Sequence, residues 1–409
     1  MKYAQKLKKS LLSEIDNLNF CRGNFCHTPN KDFTRHRKVT FDAILKAVLC
    51  FEGKSLTNEL YDIFGFNAET LSASAFVQQR SKIKSEAFYK LFKNFTDTNS
   101  PVKLFQGYRL IAVDGSDINT PKNKDDVESI QRNHSAEYNI YHLNVLYDLL
   151  TNTYIDALVQ KRSKFDEHSA LMDMLYRFNS ICSAIFIADR GYECYNNMLQ
   201  IQELNHKFLF RIKDLHSSGI LNRFNLPDGE FDISLDIDCS HRKIDKTKIN
   251  NYVLHIRIVR IRISDDSYEV IATNLNSDAF PASALKELYH KRWGVETSFR
   301  QLKYTVGLLA FHSKKAEHII QEIFARLTLY NFSELITFHL VVQKANRKHI
   351  YKINFSIAVN ACRKLLLERY ALNDVEAVIS KNLVPYRPGR SSPRKLRNTP
   401  PVSFCYRIA

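Results

Sequence analysis

The chain has 409 residues, 44% of them hydrophobic and 25% charged, which is the balance of a soluble globular protein with room for two or three domains. No run approaches the roughly 18 apolar residues that span a bilayer, and Glu14 and Asp16 interrupt any signal-peptide core, so a cytoplasmic, membrane-free protein is expected. Lys and Arg number 59 against 43 Asp and Glu; this excess of +16 favours a polyanionic partner, most commonly DNA or RNA.

Residues 1–100 read as helices. Phe41, Ile44, Leu45, Val48 and Leu49 recur at helical spacing, and SLTNELYDIFG ends at Gly65, a fitting C-cap. Ser72 or Ser74 then caps a helix whose outer face carries Gln78, Gln79, Arg80, Lys82 and Lys84. Short helices with a basic final member fit a helix-turn-helix-like DNA reader, and a plain packing domain with a solvated face fits as well. Cys21 and Cys26 with His27 lack the second half of a zinc site, and the eight cysteines read mainly as reduced thiols.

After Pro101 the pattern changes to strands. YRLIAV (108–113) is a buried run that delivers Asp114 at its end. YHLNVLYDLL and TYIDALVQK flank the tight turn Thr151-Asn152, completing a three-stranded antiparallel meander. A helix over about 166–179 precedes AIFIA (184–188), a second buried strand, which ends in Asp189-Arg190-Gly191. One more helix and the strand KFLFRIK follow.

Residues 217–275 alternate with period two and form an all-β block. Its Arg257, Arg260 and Arg262 read as a solvated sheet face in preference to a phosphate-facing stripe. The segment YHKRWGVETSFRQLK (289–303) then reads as one helix. At about 100° per residue, Tyr289, Arg292, Glu296 and Lys303 fall within about 60° of one another. Leu288, Val295, Phe299 and Leu302 lie on the neighbouring, core-facing side. Amphipathic segments over about 314–344 and 355–370 are expected to cover the sheet, and the Pro- and Arg-rich end reads as a basic arm.

Two strand-terminal aspartates and a helical glutamate can meet in one pocket, where their mutual repulsion calls for divalent cations. Oxygen donors of this kind suit Mg²⁺ or Mn²⁺. A pair of such ions serves in-line attack on a phosphodiester.

The spacing Tyr289-x2-Arg292-x3-Glu296-x6-Lys303 resembles the YREK signature of bacterial insertion-sequence DDE transposases of insertion-sequence family four. VDGSDINTP and ADRGYECYNNM resemble that family's first and second Asp motifs. The resemblance implies a mixed α/β fold: an RNase H-like catalytic core (101–216 and 279–345) interrupted by the all-β insertion (217–278). An N-terminal helical DNA-binding domain (1–100) and C-terminal helices with a basic tail (346–409) would flank it.

By the same resemblance Asp114, Asp189 and Glu296 would be catalytic and hold two Mg²⁺ or Mn²⁺ ions. Tyr289, Arg292 and Lys303 would contact phosphates at the element end. Trp293 would stack on an end base or anchor the core, and Arg190 would touch the cleaved strand or form a structural salt bridge. The implied activity is cut-and-paste transposition: cleavage at terminal inverted repeats, then strand transfer into target DNA, by a homodimer in a synaptic complex. An RNase H-like nuclease or resolvase without strand transfer, or a catalytically inactive domesticated DNA-binding protein, are the competing expectations.

Overall fold

The computed structural model describes residues 2–35, 39–133, 136–265, 267–340, 350–367 and 375–386. The expected basic, Pro-rich arm lies largely outside them.

Five helices open the chain: α1 (Tyr3–Phe20), α2 (Phe41–Cys50), α3 (Leu56–Phe64), α4 (Ala73–Arg80) and α5 (Glu86–Asn99). Local chemistry sets their ends. The Ser55 and Ser72 hydroxyls accept from Asn58 N and Ala75 N at the starts of α3 and α4. Gly65 stops α3 with φ of 119°, a backbone region that costs an L side chain dearly, and its N–H returns to Tyr61 O.

A nine-stranded sheet forms the middle of the molecule. The strands β1 (Arg109–Thr120), β2 (Ile130–Asn133), β3 (Ala136–Asp148) and β4 (Thr153–Lys161) come first. Pairing of β1 with β3 and of β3 with β4 is antiparallel, as the alternation and the Thr151-Asn152 turn predict. Asn152 takes φ of 56°, a conformation its short polar side chain tolerates. The helix α6 (Glu167–Arg177) leads to β5 (Ala184–Ala188), and α7 (Tyr195–Glu203) leads to β6 (Lys207–Ile212). Both β1–β5 and β5–β6 pair in parallel, giving the core order β4-β3-β1-β5-β6.

The all-β block supplies β7 (Phe231–Asp238), β8 (Val253–Ser264) and β9 (Ser267–Thr273). It extends the same sheet, because β9 pairs antiparallel with β6. Arg257 and Arg260 do not line a solvated face: both are buried. Arg257 donates to Asp232 Oδ1 at 2.6 Å, and Arg260 donates to Asp214 Oδ1 at 2.7 Å while lying 3.6 Å from the Tyr268 ring centre. Such pairing neutralises the charge of each guanidinium where water cannot. Of the three, only Arg262 stays exposed.

The segment 289–303 is two helices: α8 (Ala282–His290) and α9 (Trp293–Tyr304). Between them Arg292 N and Val295 N bond three residues back, to Tyr289 O and Arg292 O, which tightens the chain into a short 3₁₀-like step. Leu288, Val295, Phe299 and Leu302 are buried as predicted.

The long helix α10 (Ala316–His339) departs from the expected amphipathic cover. Nearly every residue from His318 to Thr337 is buried, because α1, α2 and α5 pack on one side while β4, α9 and α11 (Phe355–Leu367) pack on others. A helix enclosed in this way gains little from polar residues unless each is bonded. Those partners exist. Arg80, expected on an outer face, is buried at the end of α4 and donates to Gln321 Oε1 (2.7 Å), Glu322 Oε1 (2.8 Å) and His318 O (2.6 Å) on α10.

Candidate active site

The parallel register of β1 and β5 pairs Ala112 with Ile187; continued by two residues it brings Asp114 level with Asp189. Side chains alternate along β1, so Val113 enters the core shared with α6 and α7, whereas Ala112 and Asp114 face α9. There Arg292 bridges two carboxylates, with Nη1 3.3 Å from Asp114 Oδ2 and Nη2 2.7 Å from Glu296 Oε1. Asp189 ends β5, and its Oδ1 accepts from Gly191 N at 2.9 Å, fixing the following turn. The three sequence-predicted carboxylates therefore face one site from β1, β5 and α9.

Burial pushes the Asp114 carboxyl up to about 6, and the negative charges of Asp189 and Glu296 push the same way. The Arg292 guanidinium and the Gly115 N–H oppose that rise. Arg292 itself is buried, with Nε unpartnered, and its guanidinium carbon lies 5.7 Å from the Tyr289 ring centre and 5.6 Å from that of Trp293. Burial also raises the Tyr289 phenol, partly offset by Arg292. Trp293 is 49% exposed, so it does not anchor the core. Lys303 donates to Ser116 Oγ and Asp117 O, both at 2.8 Å, and burial lowers its pKa. Arg190 is exposed and makes no ion pair with a described residue.

The donor set, carboxylate oxygens alone, is of the kind that a divalent cation takes. No three His, Cys, Asp or Glu side chains among the described residues are gathered closely enough to hold an ion as they stand. Instead, a guanidinium spans Asp114 and Glu296.

Sequence reasoning missed the support on the far face of β1. His142, opposite Asp117 in the β1–β3 ladder, places Nδ1 2.7 Å from Asp117 Oδ1 and Nε2 3.2 Å from Glu167 Oε1. Burial disfavours the charged imidazole, but the two carboxylates outweigh it and hold His142 above the usual histidine range. Gly115 makes room for this group: a Cβ there would lie 2.2 Å from His142 Nε2 and 2.8 Å from Glu167 Oε1. Only the pairing register reveals this, and register is not written in either strand alone.

The strand expected to end at Asp114 in fact runs on to Thr120, so Asp114 sits mid-strand in β1, level with Asp189 just past β5. With Glu296 on the packed helix α9, these are the oxygen donors that metal-dependent phosphoryl transfer uses. The chain belongs to the family described as "Transposase DDE domain", whose model matches residues 105–332. It is similar to the transposase InsG of insertion sequence element IS4 from Escherichia coli K12, at 20% identity over 365 residues, covering 84% of this chain and 81% of InsG. Its fold resembles that of the piggyBac transposase solved in a synaptic complex with hairpin DNA, with a TM-score of 0.51 and 11% identity over 96% of this chain and 87% of that one. The protein is a DNA transposase of the DDE type, and DNA is its partner. Members of this family generally use divalent metal ions. No helix among the described residues is long and apolar enough to cross a membrane.

Proposed function

We propose that this transposase moves an insertion sequence by cut-and-paste, cleaving at terminal inverted repeats and joining the freed 3′-hydroxyl to target DNA. The observation that carries the reading is the Arg292 guanidinium bridging Asp114 and Glu296, with Asp189 level with Asp114 in the β1–β5 register and Lys303 bound to Ser116 two residues along β1. Asp114, Asp189 and Glu296 are the residues that would hold Mg²⁺ or Mn²⁺, two ions in all. When bound, such ions lower the pKa of an attacking water or hydroxyl and stabilise the leaving oxygen.

The remaining residues bind and orient DNA. Arg292 offers a planar fork matched to a phosphate, and Lys303 offers a point charge fixed by Ser116. Tyr289 positions Arg292 from α8, and the exposed Trp293 ring is free to stack on an end base. Arg190, next to Asp189, contacts the cleaved strand. Two copies in a synaptic complex would hold the paired ends.

Incubating the protein with duplexes that carry the element's own terminal repeats and Mg²⁺ or Mn²⁺ tests the reading. Nicked ends and joined products on a target plasmid are expected; nicking with no joining would assign a nuclease instead.

Two results follow from the site. Arg292→Ala should weaken end binding about tenfold and flatten the slope of log K against log salt by about 0.9, one phosphate contact. An unchanged slope in a fluorescence titration would remove Arg292 from the phosphate contacts. Because Asp114 carries a proton below about 6, Mn²⁺ affinity should fall about tenfold per pH unit below that value and level off above pH 7. A flat profile between pH 5 and 8, followed by electron paramagnetic resonance, would remove Asp114 from the ligands.

A further inference from the structure

A groove of about 720 Å³ opens beside Asp189, between the turn Arg190–Tyr192, the start of α7 and loops leading into the β insertion. It lies toward the α7 face of the sheet, whereas α9 packs on the opposite face. Five cations line it: Arg190, Lys213, Arg223, Arg242 and Lys243. No ion pair joins any of them to a described residue. Lys213 Nζ reaches Ser218 O at 3.3 Å, and the Arg242 guanidinium carbon lies 5.0 Å from the Tyr195 ring centre, which holds that charge at the wall.

The groove is built rather than incidental. Its one carboxylate, Glu193, is turned to the backbone: one oxygen accepts from Lys213 N at 2.7 Å and the other from Ile220 N at 2.6 Å. The loop closes so tightly over it that a Cβ on Gly219 would sit 2.5 Å from Glu193 Oε1. Glu193 thus shapes the loop that carries Lys213 and leads to Arg223. Five like charges on one concave wall repel one another, and a polyanion threading the groove removes that cost while releasing its own counterions. A solvated basic loop would show the same excess of charge, but it would have no reason to begin at the residue after Asp189 or to be pinned from within.

We propose that this groove binds the donor duplex flanking the element, on the far side of the scissile phosphate from the transposon end. The inference rests on the transposase reading above. Arg292 and Lys303 hold the end from the α9 side; a strand passing the carboxylates and continuing beyond Asp189 enters the groove at Arg190. Its backbone phosphates then meet Arg223, Arg242 and Lys243.

Equilibrium binding in EDTA tests this with the full chain and two duplexes: a terminal repeat with flanking DNA and the same repeat already cut at the element boundary. For the native protein the flank should add about tenfold in affinity and steepen the salt slope by about 2 to 3 units. In the double variant Arg242→Glu/Lys243→Glu both differences should vanish, and Arg223→Glu, on a separate loop, should remove part of them. The proposal is overturned if the double variant keeps the flank advantage, if either variant weakens both duplexes equally, or if the native protein shows no flank advantage. Failure of the native protein to bind either duplex above random DNA would instead overturn the end-recognition reading, and the groove assignment with it.

Discussion

Replacing Glu296 with Gln is expected to slow end cleavage by about a thousandfold while end binding changes by no more than about threefold. The substitution keeps shape and one acceptor oxygen, so the 2.7 Å contact with Arg292 Nη2 can persist. What it removes is a negative charge, and with it the hard anionic oxygen that a divalent ion needs. DNA loses no partner, since a carboxylate does not attract phosphate. Measuring nicking and binding on the same terminal repeat separates the two effects. Cleavage by the variant at near-native rate in Mg²⁺ would falsify the assignment of Glu296 to the metal centre.

A second large effect is expected far from the chemistry. Glu322 is buried in the second turn of α10, accepting from Arg80 Nη1 at 2.8 Å and from His312 Nδ1 at 3.0 Å. Across the imidazole, His312 Nε2 lies 3.3 Å from Glu59 Oε1. Arg326 completes the group by donating to the carbonyls of Phe51 and Glu52. Glu322→Ala strands a buried guanidinium, and should cost about 3–5 kcal/mol of stability, read as a shift in the urea midpoint at constant slope. A loss under about 1 kcal/mol would show that water reaches the site.

The pH dependence has a definite sign. Burial opposes the charge on Glu322, but Arg80 and His312 outweigh it and hold the carboxyl far below its ordinary 4.5. A depressed folded pKa adds stability that is full above 4.5 and drains away as the pH falls toward the folded value. The gap between native and variant should therefore narrow in acid. His312 works oppositely: Glu322 and Glu59 raise it above 6.5, so its share is full below 6.5 and declines as the pH climbs through the raised value.

Much of the site could be read from the chain because its signals are local. Asp114 and Asp189 end short apolar runs, and Leu288, Val295, Phe299 and Leu302 mark a buried helical face. The strand meander announced itself through alternation and through Thr151-Asn152. Other features depend on partners distant in sequence. Arg80 looks like a surface residue of a basic helix until α10 supplies Gln321 and Glu322, more than 240 residues later. Arg257 and Arg260 look solvated until Asp232 and Asp214 arrive from other strands and loops. The step between α8 and α9 was equally hidden, since helical periodicity cannot register a few bonds shortened from four residues to three.

The enclosure of α10 also bears on how such a protein can change over generations. Arg80 near the start of the chain and Glu322 near its end form one buried contact, and α1, α2 and α5 press on the same helix. Exchange of the first hundred residues with those of a distant relative would separate Arg80 from Gln321, Glu322 and the His318 carbonyl. The leading helices and α10 therefore form one packing unit, and a replacement of either has to supply the buried partners of the other.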